Sequence, residues 1–147
     1  MRFQYNDGGR AAAGFKGKAG DCACRAIAIA TGLPYSEVYD RINALGQSER
    51  RGMRKRGRSN ARSGVYTQCA RRLMAQLGWT WTPTMGIGTG CRIHLRDSQL
   101  PAGRLVVVLS KHYAAVVDGV LHDTYDCTRN GTRCVYGYWT LAQTTTR

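Results

Sequence analysis

Acidic residues are scarce in this chain: 9 Asp and Glu stand against 22 Lys and Arg in 147 residues, a formal net charge of +13. That imbalance predicts attraction to phosphate polymers or other acidic surfaces, and it carries no information about fold. Long apolar runs are missing too. No window approaches the roughly 18 consecutive apolar residues that a membrane span needs, and the opening MRFQYNDGGR lacks the apolar core of a signal peptide. These absences predict a cytoplasmic protein with no membrane association. The six cysteines (Cys22, Cys24, Cys69, Cys91, Cys127, Cys134) are irregularly spaced and no export signal accompanies them, so reduced thiols are expected. No internal repeat is visible, and 43% hydrophobic composition suffices to close the core of one domain spanning 1–147.

The positive charge is concentrated. Between Glu49 and Arg62 lie Arg50, Arg51, Arg54, Lys55, Arg56, Arg58 and Arg62 with Glu49 as the single acid. Almost no large apolar side chain accompanies them, so residues 46–64 are expected to form an exposed basic insertion between two helices. Such a density of cations suits an acidic partner, either nucleic acid or an acidic protein. Residues 1–20 are rich in Gly, Ala and basic side chains, and read as an irregular lead-in.

Periodicity then divides the chain. CACRAIAIATG after Asp21 reads as a helix with Asp21 at its N-cap and Gly32 as its stop. PYSEVYDRINAL follows with Val38, Ile42 and Leu45 on one stripe, and VYTQCARRLMAQLG places Tyr66, Cys69 or Ala70, Leu73 and Leu77 at helical spacing. After Gly78 the period becomes two. WTWT, CRIHL, RLVVVLS, YAAVV, VLHDTY and RCVYGYW read as strands of an antiparallel sheet, and Asp118-Gly119 is a two-residue hairpin signal. Helices first and strands after imply an α+β fold. Trp79, Trp81, Tyr136, Tyr138 and Trp139 alternate as sheet-face packing does.

One constellation carries chemistry. A nucleophilic cysteine needs a lowered pKa, and Cys22 stands where a helix N-terminus supplies partial positive charge. Its own N–H is also placed to help stabilise an oxyanion. With the turn at Asp118-Gly119, Val117 pairs with Val120, Ala115 with His122 and His112 with Tyr125, which makes Asp123 a diagonal same-face neighbour of His112. A carboxylate there would hold Nδ1 of His112 and leave Nε2 for the thiol. His122 falls on the other face, and His94 reads as an ordinary strand histidine. Zinc ligation by Cys91, His94, Cys127 and Cys134 has only one short spacing, C-x2-H, so neither a metal nor an organic cofactor is expected.

The order Cys22, His112, Asp123, with Gly-Asp-Cys opening a helix and Lys-His-Tyr-Ala-Ala-Val-Val-Asp-Gly on a strand, resembles the papain-like cysteine peptidase superfamily, in particular its small bacterial and phage branches. Taken whole, GDCACRAIAIATG, the Arg-rich insertion and the TRCVYGYW ending look like a group of tailed-phage and prophage proteins. The resemblance implies a papain-like fold and a cysteine hydrolase, a peptidase or isopeptidase, working through an acyl-enzyme; in a phage setting its compartment would be the host bacterial cytoplasm. Where the papain pattern has an oxyanion Gln, six residues before the cysteine, this chain has Lys16, and no aromatic residue follows Cys22. Lys16, Lys18 and Asn6 are the candidate replacements for that donor. The alternative implied by the missing Gln is an inactive papain-like module that binds nucleic acid or an acidic host factor in counter-defence or early infection. Acyl transfer to an amine would use the same three residues.

Overall fold

A computed structural model of the chain describes residues 1–17, 19–49 and 58–141. In chain order it contains β1 (Arg2–Tyr5), α1 (Cys22–Thr31), α2 (Tyr35–Gln47), α3 (Thr67–Gln76), β2 (Trp79–Pro83), a 3-10 turn (Asp97–Gln99), β3 (Arg104–Leu109), β4 (His112–Val117), β5 (Val120–Asp123) and β6 (Gly137–Leu141). The class is α+β: among the described residues three helices lie beside a six-stranded sheet of order β1-β5-β4-β3-β6-β2. Among the described residues no helix is long and apolar enough to cross a membrane.

The β4–β5 hairpin has the predicted register, Val117 with Val120 and Ala115 with His122. Asp118 and Gly119 both take positive φ, 48° and 78°, as a two-residue turn matching the sheet's twist requires. Three expectations are corrected. The sheet is mixed rather than antiparallel, because β1 from the supposedly irregular lead-in pairs parallel with β5. CRIHL is not a strand; its only pairing is an isolated bridge between His94 and Cys134. Cys91 and Cys134 are joined by a disulfide with Cα atoms 5.8 Å apart, which corrects the expectation that all six thiols are reduced.

Strand alternation sorts the core into two layers. On one face Val106, Ala115 and Trp139 meet Ile27 of α1, Val38 and Ile42 of α2, and Leu73 and Met74 of α3. On the other, Leu105, Val107, Ala114, Val116 and Leu121 are covered by Leu95, Cys127 and Val135 from the connecting segments. Each layer removes apolar surface from water at about 25 cal/mol per Å².

The basic insertion is tied down at both ends: Gly46, Glu49, Ser59 and Ala61 are buried, while Gln47, Ser48, Arg58, Asn60, Arg62, Ser63 and Gly64 are exposed as expected. The Glu49 carboxylate accepts hydrogen bonds from the Ser59 N–H and hydroxyl. Gly46 lets the two ends approach: a Cβ there would sit 1.9 Å from the Ser59 carbonyl oxygen. Residues 50–57, with Arg50, Arg51, Arg54, Lys55 and Arg56, lie outside the described residues.

Candidate active site

Cys22 is the first residue of α1, His112 the first of β4 and Asp123 the last of β5, so three elements end at one place. Alternation directs His112, like Ala114 and Val116, to the face of the sheet away from the helices, whereas Cys22 belongs to the helix layer. They meet because both stand at the end of the sheet, where the two layers are no longer separated by strands.

Asp123 is 3% and His112 7% exposed, and His112 Nε2 donates to Asp123 Oδ2 over 2.6 Å. The imidazole is thus turned opposite to the sequence expectation: Nε2 faces the acid, and Nδ1 is the nitrogen left for the thiol. The remaining Asp123 oxygen accepts from the Thr124 N–H at 2.7 Å and lies 3.5 Å from Arg25.

These contacts set the proton distribution. Burial raises the Cys22 thiol, but hydrogen bonds from His112 and the Tyr113 N–H, with the charges of His112 and Arg25, outweigh it, and the pKa falls below the ordinary thiol value. Burial likewise disfavours the imidazolium, yet hydrogen bonds to Asp123, Cys127 and Cys22 and the Asp123 charge raise His112 to about 11. Asp123 is lowered despite burial, by the hydrogen bond and charge of His112, the Thr124 N–H and Arg25. Asp123 is therefore a carboxylate and His112 an imidazolium at neutral pH, and both favour the thiolate form of Cys22. Cys24 is different: burial and the Asp21 charge push it up to about 12, and its sulfur faces the Tyr35 carbonyl at 3.7 Å.

Asp21 stands in the N-cap position of α1 but makes no side-chain cap. Its carboxylate is 1% exposed and is held by Arg10 at 3.1 Å, by the Tyr35 hydroxyl at 2.6 Å and by Arg25. The Asp21 carboxylate therefore does not cap the N–H groups of the first turn, which leaves them without that competitor for an oxyanion. Arg25 joins Asp21 to Asp123, one turn along the helix from the thiol. Its i,i+4 spacing from Asp21 was readable in the sequence, although its reach to β5 was not.

The oxyanion candidates are placed as follows. The Asn6 side chain is occupied: Oδ1 accepts from the Gly8 N–H at 2.8 Å, and Nδ2 lies 3.3 Å from His122 Nδ1. Lys16 is exposed, and its carbonyl accepts from Arg62 at 3.1 Å. Lys18 lies outside the described residues. Of the basic set, Arg58 donates to the Glu49 carbonyl at 3.2 Å.

Cys127, which sequence reasoning did not assign to the site, lies buried against His112. The donor atoms of His112, Asp123 and Cys127 fall within 4.8 Å of one another. A soft divalent ion would suit such donors. However, the Nε2–Oδ2 separation of 2.6 Å is a proton-sharing distance, shorter than the roughly 3.3 Å between donors on a tetrahedral ion. The zinc set weighed from the sequence is not assembled, because Cys91 and Cys134 are bonded to each other.

No family model, curated protein or solved structure matches the chain. The functional reading therefore rests on the geometry of these side chains.

Proposed function

We propose that the protein is a papain-like cysteine hydrolase of phage type, a peptidase or isopeptidase. The observation that carries the reading is the buried Asp123–His112 hydrogen bond beside a helix-terminal thiol of lowered pKa. Cys22 Sγ attacks a carbonyl carbon, forming a C–S bond, and the oxygen becomes an oxyanion held by N–H groups of the α1 first turn. The C–N bond breaks as imidazolium Nδ1–H protonates the leaving amine. Water then attacks the thioester, giving its proton to His112, and the carbonyl collapses to expel the Cys22 thiolate. Asp123 keeps the imidazole oriented and its charge compensated throughout.

A second reading, a papain-like module with a silent triad that binds nucleic acid or an acidic host factor through its basic insertion, draws on the occupied Asn6 amide and the exposed Lys16. Trapping the acyl-enzyme separates the two. With p-nitrophenyl acetate the hydrolase should release a burst of one equivalent of nitrophenol and carry the acetyl group on Cys22, read by peptide mass spectrometry. Slow acetylation spread over lysines, with none on Cys22, would sink the hydrolase reading.

A further inference from the structure

We infer that the cavity on the outer face of α3 is the subsite for an acidic residue of the peptide substrate, with Arg71 and Arg72 binding its carboxylate. The inference rests on the thiol-hydrolase reading and names its substrate class.

The cavity is an open depression of about 530 Å³ on one face of α3, lined by Thr67, Gln68, Arg71, Arg72 and Ala75. Among the described residues its lining offers two guanidinium groups, an amide and a hydroxyl, and no carboxylate, and Arg72 also donates to Ser48 Oγ over 3.5 Å. Such a lining neutralises an anion and leaves a cation without a partner.

An aromatic stack connects this cavity to the thiol. The Arg71 guanidinium lies 5.5 Å over the Trp81 ring. Trp81 packs on Trp139 with centroids 4.6 Å apart, and Trp139 stacks on Tyr113 at 6.1 Å. Tyr113 closes the path: its N–H faces the Cys22 sulfur, while its hydroxyl shares a hydrogen bond with Thr67 at the start of α3. The thiol and the cavity are thus two sides of one stack. With one face of Arg71 held against indole, the guanidinium edge is the side that would make a two-point contact with a planar carboxylate.

A peptide fits better than a nucleic acid because the thiol requires an acyl carbon beside the bound anion, and a phosphodiester offers none. The overall charge of +13 would draw acidic segments toward the site.

The test uses peptidyl vinyl sulfones with Glu placed in turn at each residue on the acyl side, each against a twin carrying Gln, with labelling of every cysteine read by mass spectrometry. One Glu reagent should label Cys22 about tenfold faster than its Gln twin, the advantage of a charge-assisted pair. Arg71→Gln and Arg72→Gln should each bring that ratio toward one, and Arg71→Lys should leave an intermediate ratio because it keeps charge but loses the fork. If iodoacetamide and the Gln twins modify Cys22 rapidly but no Glu reagent gains, the subsite is refuted while the thiol reading stands. If Cys22 reacts no faster than Cys69 with any reagent, both fall. Protection of Cys22 by a single-stranded oligonucleotide, lost in Arg71→Gln and without any Glu preference, would instead assign the cavity to phosphate.

Discussion

Replacing Asp21 by Ala should destabilise the protein by about 3–5 kcal/mol, the loss expected when buried cations are left without their carboxylate. Asp21 is 1% exposed, and the side chains of its partners Arg10 and Arg25 are 19% and 12% exposed. Neither guanidinium could regain full hydration without opening the contact between α1 and the 6–17 segment. Gly8, at φ 72°, packs so close to α1 that a Cβ there would lie 3.0 Å from the Arg25 carbonyl oxygen, so that segment has little room to shift. The Tyr35 hydroxyl would lose its acceptor as well. The thermal midpoint should fall by roughly 10–15 °C, and Asp21→Asn, which keeps an acceptor for Tyr35, should fall less. Calorimetry showing a loss under about 1 kcal/mol for Asp21→Ala, the size of an exposed ion pair, would mean that this network does not anchor α1.

Asp123→Asn should reduce acylation of Cys22 by about 10²–10⁴-fold, as loss of the orienting acid does in analogous triads. The substitution removes the negative charge and leaves at most a neutral hydrogen bond in place of the charge-assisted one that helps raise His112 to about 11. Burial, which disfavours the imidazolium, is then opposed only by that weaker bond and the sulfur contacts, so the pKa falls toward the ordinary imidazole value of about 6.5. The thiolate loses its cationic partner and its pKa rises. The pH–rate profile should therefore narrow from both sides, with the acid limb moving up and the alkaline limb moving down. A profile of unchanged width and height in Asp123→Asn would remove Asp123 from the site.

Much of this arrangement was legible because it depends on local rules. The Asp118-Gly119 turn determines the β4–β5 register, and from that register the proximity of His112 and Asp123 follows by alternation alone. Gly32 stops α1 as expected, its φ of 77° letting its N–H close on the Ala28 carbonyl. What was missed depends on long-range pairing. β1 reads RFQY, a polar–aromatic alternation only four residues long with every residue exposed, so no buried face marks it and its strand character comes from pairing with β5. CRIHL alternates well but is held by the disulfide and a single bridge rather than by a ladder. The direction of the His112 ring was also inaccessible: register brings His112 near Asp123, whereas the choice between Nε2 and Nδ1 is made by which side of the imidazole the sheet end turns toward Cys22. Cys127 comes from a connecting segment that has no period to read.

The central claim is that Cys22 exists as a thiolate paired with the His112 imidazolium. The most direct measurement is the pH dependence of iodoacetamide labelling at each cysteine, read by peptide mass spectrometry, in the parent protein and in His112→Ala. The account predicts rapid labelling of Cys22 with an apparent pKa well below about 8.5; in His112→Ala the rate at pH 6 should drop by about 100-fold as the thiolate fraction collapses. Labelling of Cys22 no faster than that of buried Cys24 or Cys69, and indifferent to His112→Ala, would contradict it.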